Sequence, residues 1–147
     1  MINSRSHDRE SRIWLLLFAA WIFALVSSLS ALFIGEVMGQ APCNLCWFQR
    51  AFMFPLVFIL GAAALLNDGI VWRYALPTAV AGWLVAAFHN LLYFGIVPES
   101  IKPCADGPSC SDSNMTIFGT LPLPLLSLVV FSLIIVLLVA IRKGLQK

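Results

Sequence analysis

Charge is what this sequence has least of. Nine basic and seven acidic side chains make up 11% of its 147 residues, against about 25% in an ordinary soluble domain. Hydrophobic residues account for 61% of the chain, and its mean hydropathy is +0.92. A soluble chain of this length could build one core, but much of this apolar surface would stay in water. The composition therefore excludes a soluble globular enzyme, a disordered tail and a nucleic-acid binder. A formal net charge of +2 calls for no polyanionic partner, so the placement of the charges matters more than their sum. Internal repeats, low-complexity tracts and haem, flavin or iron–sulfur signatures are all missing.

The few charges fall in clusters at 5–12, Glu36, Arg50, Asp68, Arg73, 99–112 and 142–147, and long uncharged runs separate them. A helix needs about 20 apolar residues to cross the hydrocarbon core of a bilayer. The runs predict four membrane spans at about 13–35, 46–66, 74–95 and 118–141, in one integral membrane domain covering 1–147. The first run is too long for a typical signal-peptide core, and Pro42 is a poor residue after a Gly39-Gln40-Ala41 cleavage site. It is read as a retained span. Four spans put both termini on one side. Arg5, Arg9, Arg12, Arg73, Arg142, Lys143 and Lys147 then share a face, leaving Arg50 and Lys102 on the other. The positive-inside rule makes the termini cytoplasmic. The expected fold is an all-α membrane protein, a four-transmembrane-helix bundle with two extracytoplasmic loops.

Each of those loops carries a cysteine pair: Cys43 with Cys46, and Cys104 with Cys110. No cysteine falls in a helix interior, and an extracytoplasmic compartment permits disulfides. Structural staples are one reading, but rings this small restrain little of the unfolded chain. A four-cysteine zinc site is another, although the Cys104–Cys110 spacing is wider than zinc motifs favour. Redox chemistry is the reading preferred here, and no metal is expected.

The first pair has the setting of an active dithiol. Asn44 is a favoured N-cap residue, which would place Cys46 in the first turn of the second span. Unsatisfied amides and the positive end of the helix dipole stabilise a thiolate there. Arg50, one turn further on, adds a positive charge. The second pair lies in a polar loop rich in proline and glycine, within reach of a soluble protein's thiolate. One exposed pair and one pair at the membrane surface suit a relay from an aqueous dithiol to a lipid-soluble acceptor. Thiol–disulfide exchange moves electrons between the pairs, and a membrane quinone is the economical final acceptor.

The stretch Pro42-Cys43-Asn44-Leu45-Cys46-Trp47-Phe48-Gln49-Arg50, together with Lys102-Pro103-Cys104 and Cys110, resembles the DsbB family of quinone-linked disulfide bond formation proteins, and within it the short-loop BdbC branch. The resemblance covers nearly the whole chain after residue 12. It implies a dithiol:quinone oxidoreductase of the bacterial cytoplasmic (inner) membrane. Such an enzyme reoxidises a DsbA-like thioredoxin-fold partner in the periplasm or outside the cell and uses ubiquinone or menaquinone. The partner's thiolate would attack Cys104, Cys110 would leave, and electrons would pass to Cys43 and Cys46. Cys46 would meet the quinone, with Arg50 polarising a quinone oxygen.

His89 and Asn90 lie near the outer end of the third span, at the depth of a quinone head beside Cys46. His89 is a candidate quinone contact, and both are also candidates for interhelical hydrogen bonding. Trp47, Phe48, Phe52 and Phe54 are candidate pocket walls, and Pro55 is expected to kink the second helix. Two rival readings remain. A vitamin K epoxide reductase-like enzyme would carry its cysteine motifs in the reverse order, and a metal-binding membrane protein would use all four cysteines as ligands.

Overall fold

The computed structural model describes residues 2–97, 116–117 and 121–146. Four long helices dominate it: α1 (Ile2–Leu32), α2 (Asn44–Leu66), α3 (Trp72–Tyr93) and α4 (Leu123–Gln146). Each packs against its neighbour in sequence, and α4 closes back onto α1 to complete an up-and-down ring. All four are long and apolar enough to cross a membrane. The helix of α1 starts well before residue 13, because the polar N-terminal segment continues it. The fourth helix starts later than residue 118. Thr116–Ile117 instead pairs antiparallel with Leu121–Pro122, and this short ribbon (β1, β2) is the one departure from all-α structure among the described residues. Pro124 sits in the first turn of α4, where its missing N–H costs nothing. Pro55 lies within α2, which runs unbroken past it.

The turn between α2 and α3 is built from local chemistry. Asn67 adopts the left-handed conformation (φ 52°, ψ 39°) that ends α2. The Asp68 carboxylate then accepts the Ile70 N–H at 2.9 Å, starting the 3₁₀ turn Gly69–Val71 that leads into α3. Gly69 lets this turn sit under the bundle: a β-carbon there would lie 3.1 Å from Ile13 and 3.3 Å from Leu145.

Lipid is as apolar as leucine, so membrane helices associate through close packing of small residues rather than through hydrophobic exclusion. The core follows that rule, with Ala20, Ala24, Ala63, Ala75, Ala79 and Ala86 buried between the helices. At Gly82 the helices come so close that a β-carbon would run into the Phe131 ring. Other large apolar side chains turn outward, with Phe58 78% and Leu65 89% exposed, as a lipid-facing surface requires, while Phe131, Leu17 and Leu60 fill the core.

Candidate active site

The site begins where α2 begins. Cys43 is the N-cap, with an extended backbone (φ −70°, ψ 168°), and its sulfur accepts the Cys46 N–H at 3.4 Å. This corrects the sequence expectation that Asn44 caps the helix. The Cys43 sulfur already occupies the capping position, and Asn44 is the first helical residue. Cys46 still falls in the first turn. The two sulfurs lie 2.9 Å apart and are not joined by a disulfide. Cys43 is fully buried and Cys46 partly exposed. Cys43 precedes the span, and its thiol is pushed up to about 12, first by the hydrogen bond to Cys46 and then by burial. The Cys43 thiol is therefore protonated at neutral pH.

Across from the dithiol, α3 presents His89, almost fully buried. Its Nε2 lies 3.8 Å from the Cys43 sulfur, and its Nδ1 lies 2.9 Å from Gln49 Nε2. An amide nitrogen only donates, so Nδ1 accepts and the ring proton sits on Nε2, facing Cys43. Sequence reasoning passed over Gln49. The available signal was a polar residue one turn beyond Cys46 in an otherwise apolar helix. Asn90 has a different task. Its amide donates to the Ala86 and Pro124 carbonyls, both at 2.8 Å, and fastens α3 to the start of α4.

Arg50 is held by α1. Its Nη2 donates to the Ala31 carbonyl at 2.7 Å, and the guanidinium stacks 5.4 Å over the Trp47 ring. The turn that continues from α1, Phe33–Val37, is π-helical, a distortion often found at functional sites. Gly35 within it leaves the guanidinium its space, since a β-carbon would lie 3.1 Å from Nη2.

Cys46, Arg50 and His89 meet at one cavity of about 300 Å³, at the small end of the range for small-molecule sites. Its walls come from α1, α2 and the start of α4, with Met53, Phe54 and Phe131 supplying apolar surface. Of the four aromatic candidates, Phe54 lines the cavity. Trp47 and Phe48 face outward, and Phe52 packs against the core.

The profile of the family described as disulfide bond formation protein DsbB matches residues 10–141. The chain belongs to the DsbB family. This DsbB-family chain is 60% identical over 131 residues to a "Probable disulfide formation protein" of Metapseudomonas resinovorans, covering 88% of this chain and 91% of the relative. It is 38% identical over 126 residues to "Disulfide bond formation protein C" of Bacillus subtilis (strain 168), covering 86% and 91%. A Deinococcus radiodurans "Probable disulfide formation protein" is 39% identical over 140 residues, covering 89% and 88%. No solved structure matches the chain. Membership of the DsbB family decides against the vitamin K epoxide reductase-like alternative.

In this DsbB-family protein the fold thus gathers four of the six sequence-derived site residues: Cys43, Cys46, Arg50 and His89. Cys104 and Cys110 lie outside the described residues. Cys43, Cys46 and His89 present ligand atoms within 4.8 Å of one another, a set suited to a soft ion, and no fourth side chain joins them among the described residues.

Proposed function

We propose that this protein is a membrane dithiol:quinone oxidoreductase. It reoxidises a DsbA-like thioredoxin-fold partner outside the cytoplasm and delivers the electrons to ubiquinone or menaquinone in the bacterial cytoplasmic membrane. The observation that carries this reading is the cavity that Cys46 shares with Arg50 and His89. A quinone supplies a two-electron, two-proton sink, and the cavity suits one, with apolar walls for the ring and a guanidinium for an oxygen that gains negative charge.

The chain's own residues then have separable tasks. The Cys104–Cys110 disulfide takes electrons from the partner: a partner thiolate attacks Cys104, and Cys110 leaves as a thiolate. Exchange with the Cys43–Cys46 disulfide re-forms Cys104–Cys110 and leaves Cys43 and Cys46 reduced. Cys46, the cavity-facing thiol, is the electron donor. Cys43, held protonated and buried behind it, closes the disulfide and gives up its proton, with the Nε2–H of His89 facing its sulfur as negative charge develops there. The dithiol loses two electrons and two protons, and the acceptor gains them. The basic clusters place the termini on the cytoplasmic side, and Arg73 and Arg142 both flank the Trp72 ring there, at 5.9 and 4.9 Å.

Purified full-length protein in lipid vesicles, given an excess of reduced thioredoxin-fold partner, should oxidise it beyond the equivalents held in its own preformed disulfides only when quinone is present. Multiple-turnover partner oxidation that is independent of added quinone under anaerobic conditions would refute the acceptor assignment.

A further inference from the structure

Among the described residues, four polar side chains are buried within the bundle: Ser28, Gln49, His89 and Asn90. Gln49 and His89 bond each other, and Asn90 donates twice to backbone carbonyls but leaves its Oδ1 buried without a partner, away from the cavity lining. Ser28 makes no side-chain hydrogen bond at all: its hydroxyl is buried and without a partner, and the residue is 6% exposed. A helical serine ordinarily resolves this by bonding the carbonyl four residues back. Ser27 does so with Phe23 at 2.7 Å, Thr78 with Tyr74 at 2.9 Å and Ser132 with Leu128 at 2.8 Å. Ser28 does not, although Ala24 stands in the same relation to it. A buried polar group left unpaired is costly, and its natural partner is a ligand atom.

Ser28 lines the same cavity as Cys46, Arg50 and His89, and it does so from α1, across from α2. It also lies one turn before Ala31, the residue that holds Arg50. We propose that Ser28 is a ligand-binding residue of this cavity, hydrogen-bonded to a ring oxygen of the electron acceptor. This rests on the quinone reading above and adds a residue to it. The chemistry of a hydroxyl suits a carrier that changes redox state. It donates to the carbonyl of the oxidised ring and accepts from the hydroxyl of the reduced one, whereas the Arg50 guanidinium can only donate. Ser28 can therefore hold acceptor and product with similar strength.

Ser28→Ala separates this role from a structural one, because the two move stability and binding differently. Removal of an unpaired buried hydroxyl should leave the thermal stability of the ligand-free protein unchanged or raised. With a short-chain ubiquinone as probe, the KM should rise about five- to tenfold, the loss of one hydrogen bond. Inhibition by the corresponding quinol should weaken by a similar factor. Ser28→Thr, which keeps a hydroxyl, should stay within about twofold of wild type. Single-turnover oxidation of partner by the preformed disulfides should be unaffected. An unchanged quinone KM in Ser28→Ala, or a destabilised ligand-free protein, would overturn the assignment. If wild-type protein does not turn over with quinone at all, the acceptor reading itself fails and takes this inference with it.

Discussion

The two ends of the bundle are built on opposite principles. At the end formed by the chain termini and the α2–α3 turn, the interior is purely apolar: Leu17, Leu60, Ala75, Leu138 and Ile141 are fully buried. Trp14 seals this end by donating to the Ala64 carbonyl at 3.0 Å. At the dithiol end lie the buried polar residues Ser28, Gln49, His89 and Asn90, the π-helical turn, the cavity and an unpaired hydroxyl. One end is packed for stability, and the other keeps polar groups and empty space that packing alone would remove. Proteins commonly accept such local cost where function requires it. The comparison teaches that the same four helices serve as scaffold at one end and as reaction vessel at the other.

Substitutions should split along that line. The largest effect is expected at the dithiol: Cys46→Ser should abolish quinone-dependent turnover while the protein remains folded, as judged by circular dichroism and gel filtration. Arg50→Gln removes a charged hydrogen-bond donor, a loss of about 1.5–3 kcal/mol. It should raise the quinone KM at least tenfold and leave single-turnover partner oxidation unchanged. Arg50→Lys should be milder, because it keeps the charge and loses the planar fork. An equal slowing of both steps by Arg50→Gln would mean that Arg50 supports the fold rather than the acceptor.

At the opposite end the sign of the comparison reverses. Leu60→Ala should lower stability by about 2 kcal/mol or more, seen as a fall in Tm, with quinone KM unchanged. A changed KM there would show that the two ends are not separable. Gly35→Ala is a smaller perturbation of the dithiol end. Its β-carbon crowds the Arg50 guanidinium and should raise quinone KM about threefold, a fraction of the full charged bond. The smallest effect is a selectivity. With the Cys43 thiol pushed up to about 12, limited alkylation of the reduced protein at mildly alkaline pH should label Cys46 and spare Cys43. Labelling of both at equal rates would contradict the assignment of the proton to Cys43.

The scaffold end was far more legible in sequence than the reaction end. Uncharged runs separated by charge clusters locate the helices, because crossing lipid demands a length and composition that few other structures share. The start of α4 was misplaced because the apolar residues from 118 onward read as span, while pairing of Thr116–Ile117 with Leu121–Pro122 delays the helix to Leu123. Cys43, Cys46 and Arg50 were legible as a local motif. His89 was visible as a polar residue at a plausible depth, but its neighbours were not. Contact with Gln49 and Cys43 depends on how α3 packs against α2. The Ala31 carbonyl, Gly35 and the π-helical turn leave no signature that single-sequence periodicity reveals. Ser28 reads as one small polar residue among several in α1, and only its missing back-bond sets it apart.

The central claim is that electrons leave this protein from the Cys43–Cys46 dithiol into the cavity it borders. The most direct measurement uses a variant with Cys104 and Cys110 both replaced by Ser, fully reduced and reconstituted anaerobically in lipid, then mixed with an excess of quinone. Quinone consumption and disulfide formation are followed together, by ultraviolet absorbance and by thiol labelling with mass spectrometry. The account requires one quinone to be consumed for each Cys43–Cys46 disulfide formed, without partner or oxygen. Folded protein whose Cys43 and Cys46 stay reduced while the quinone is unchanged would contradict it.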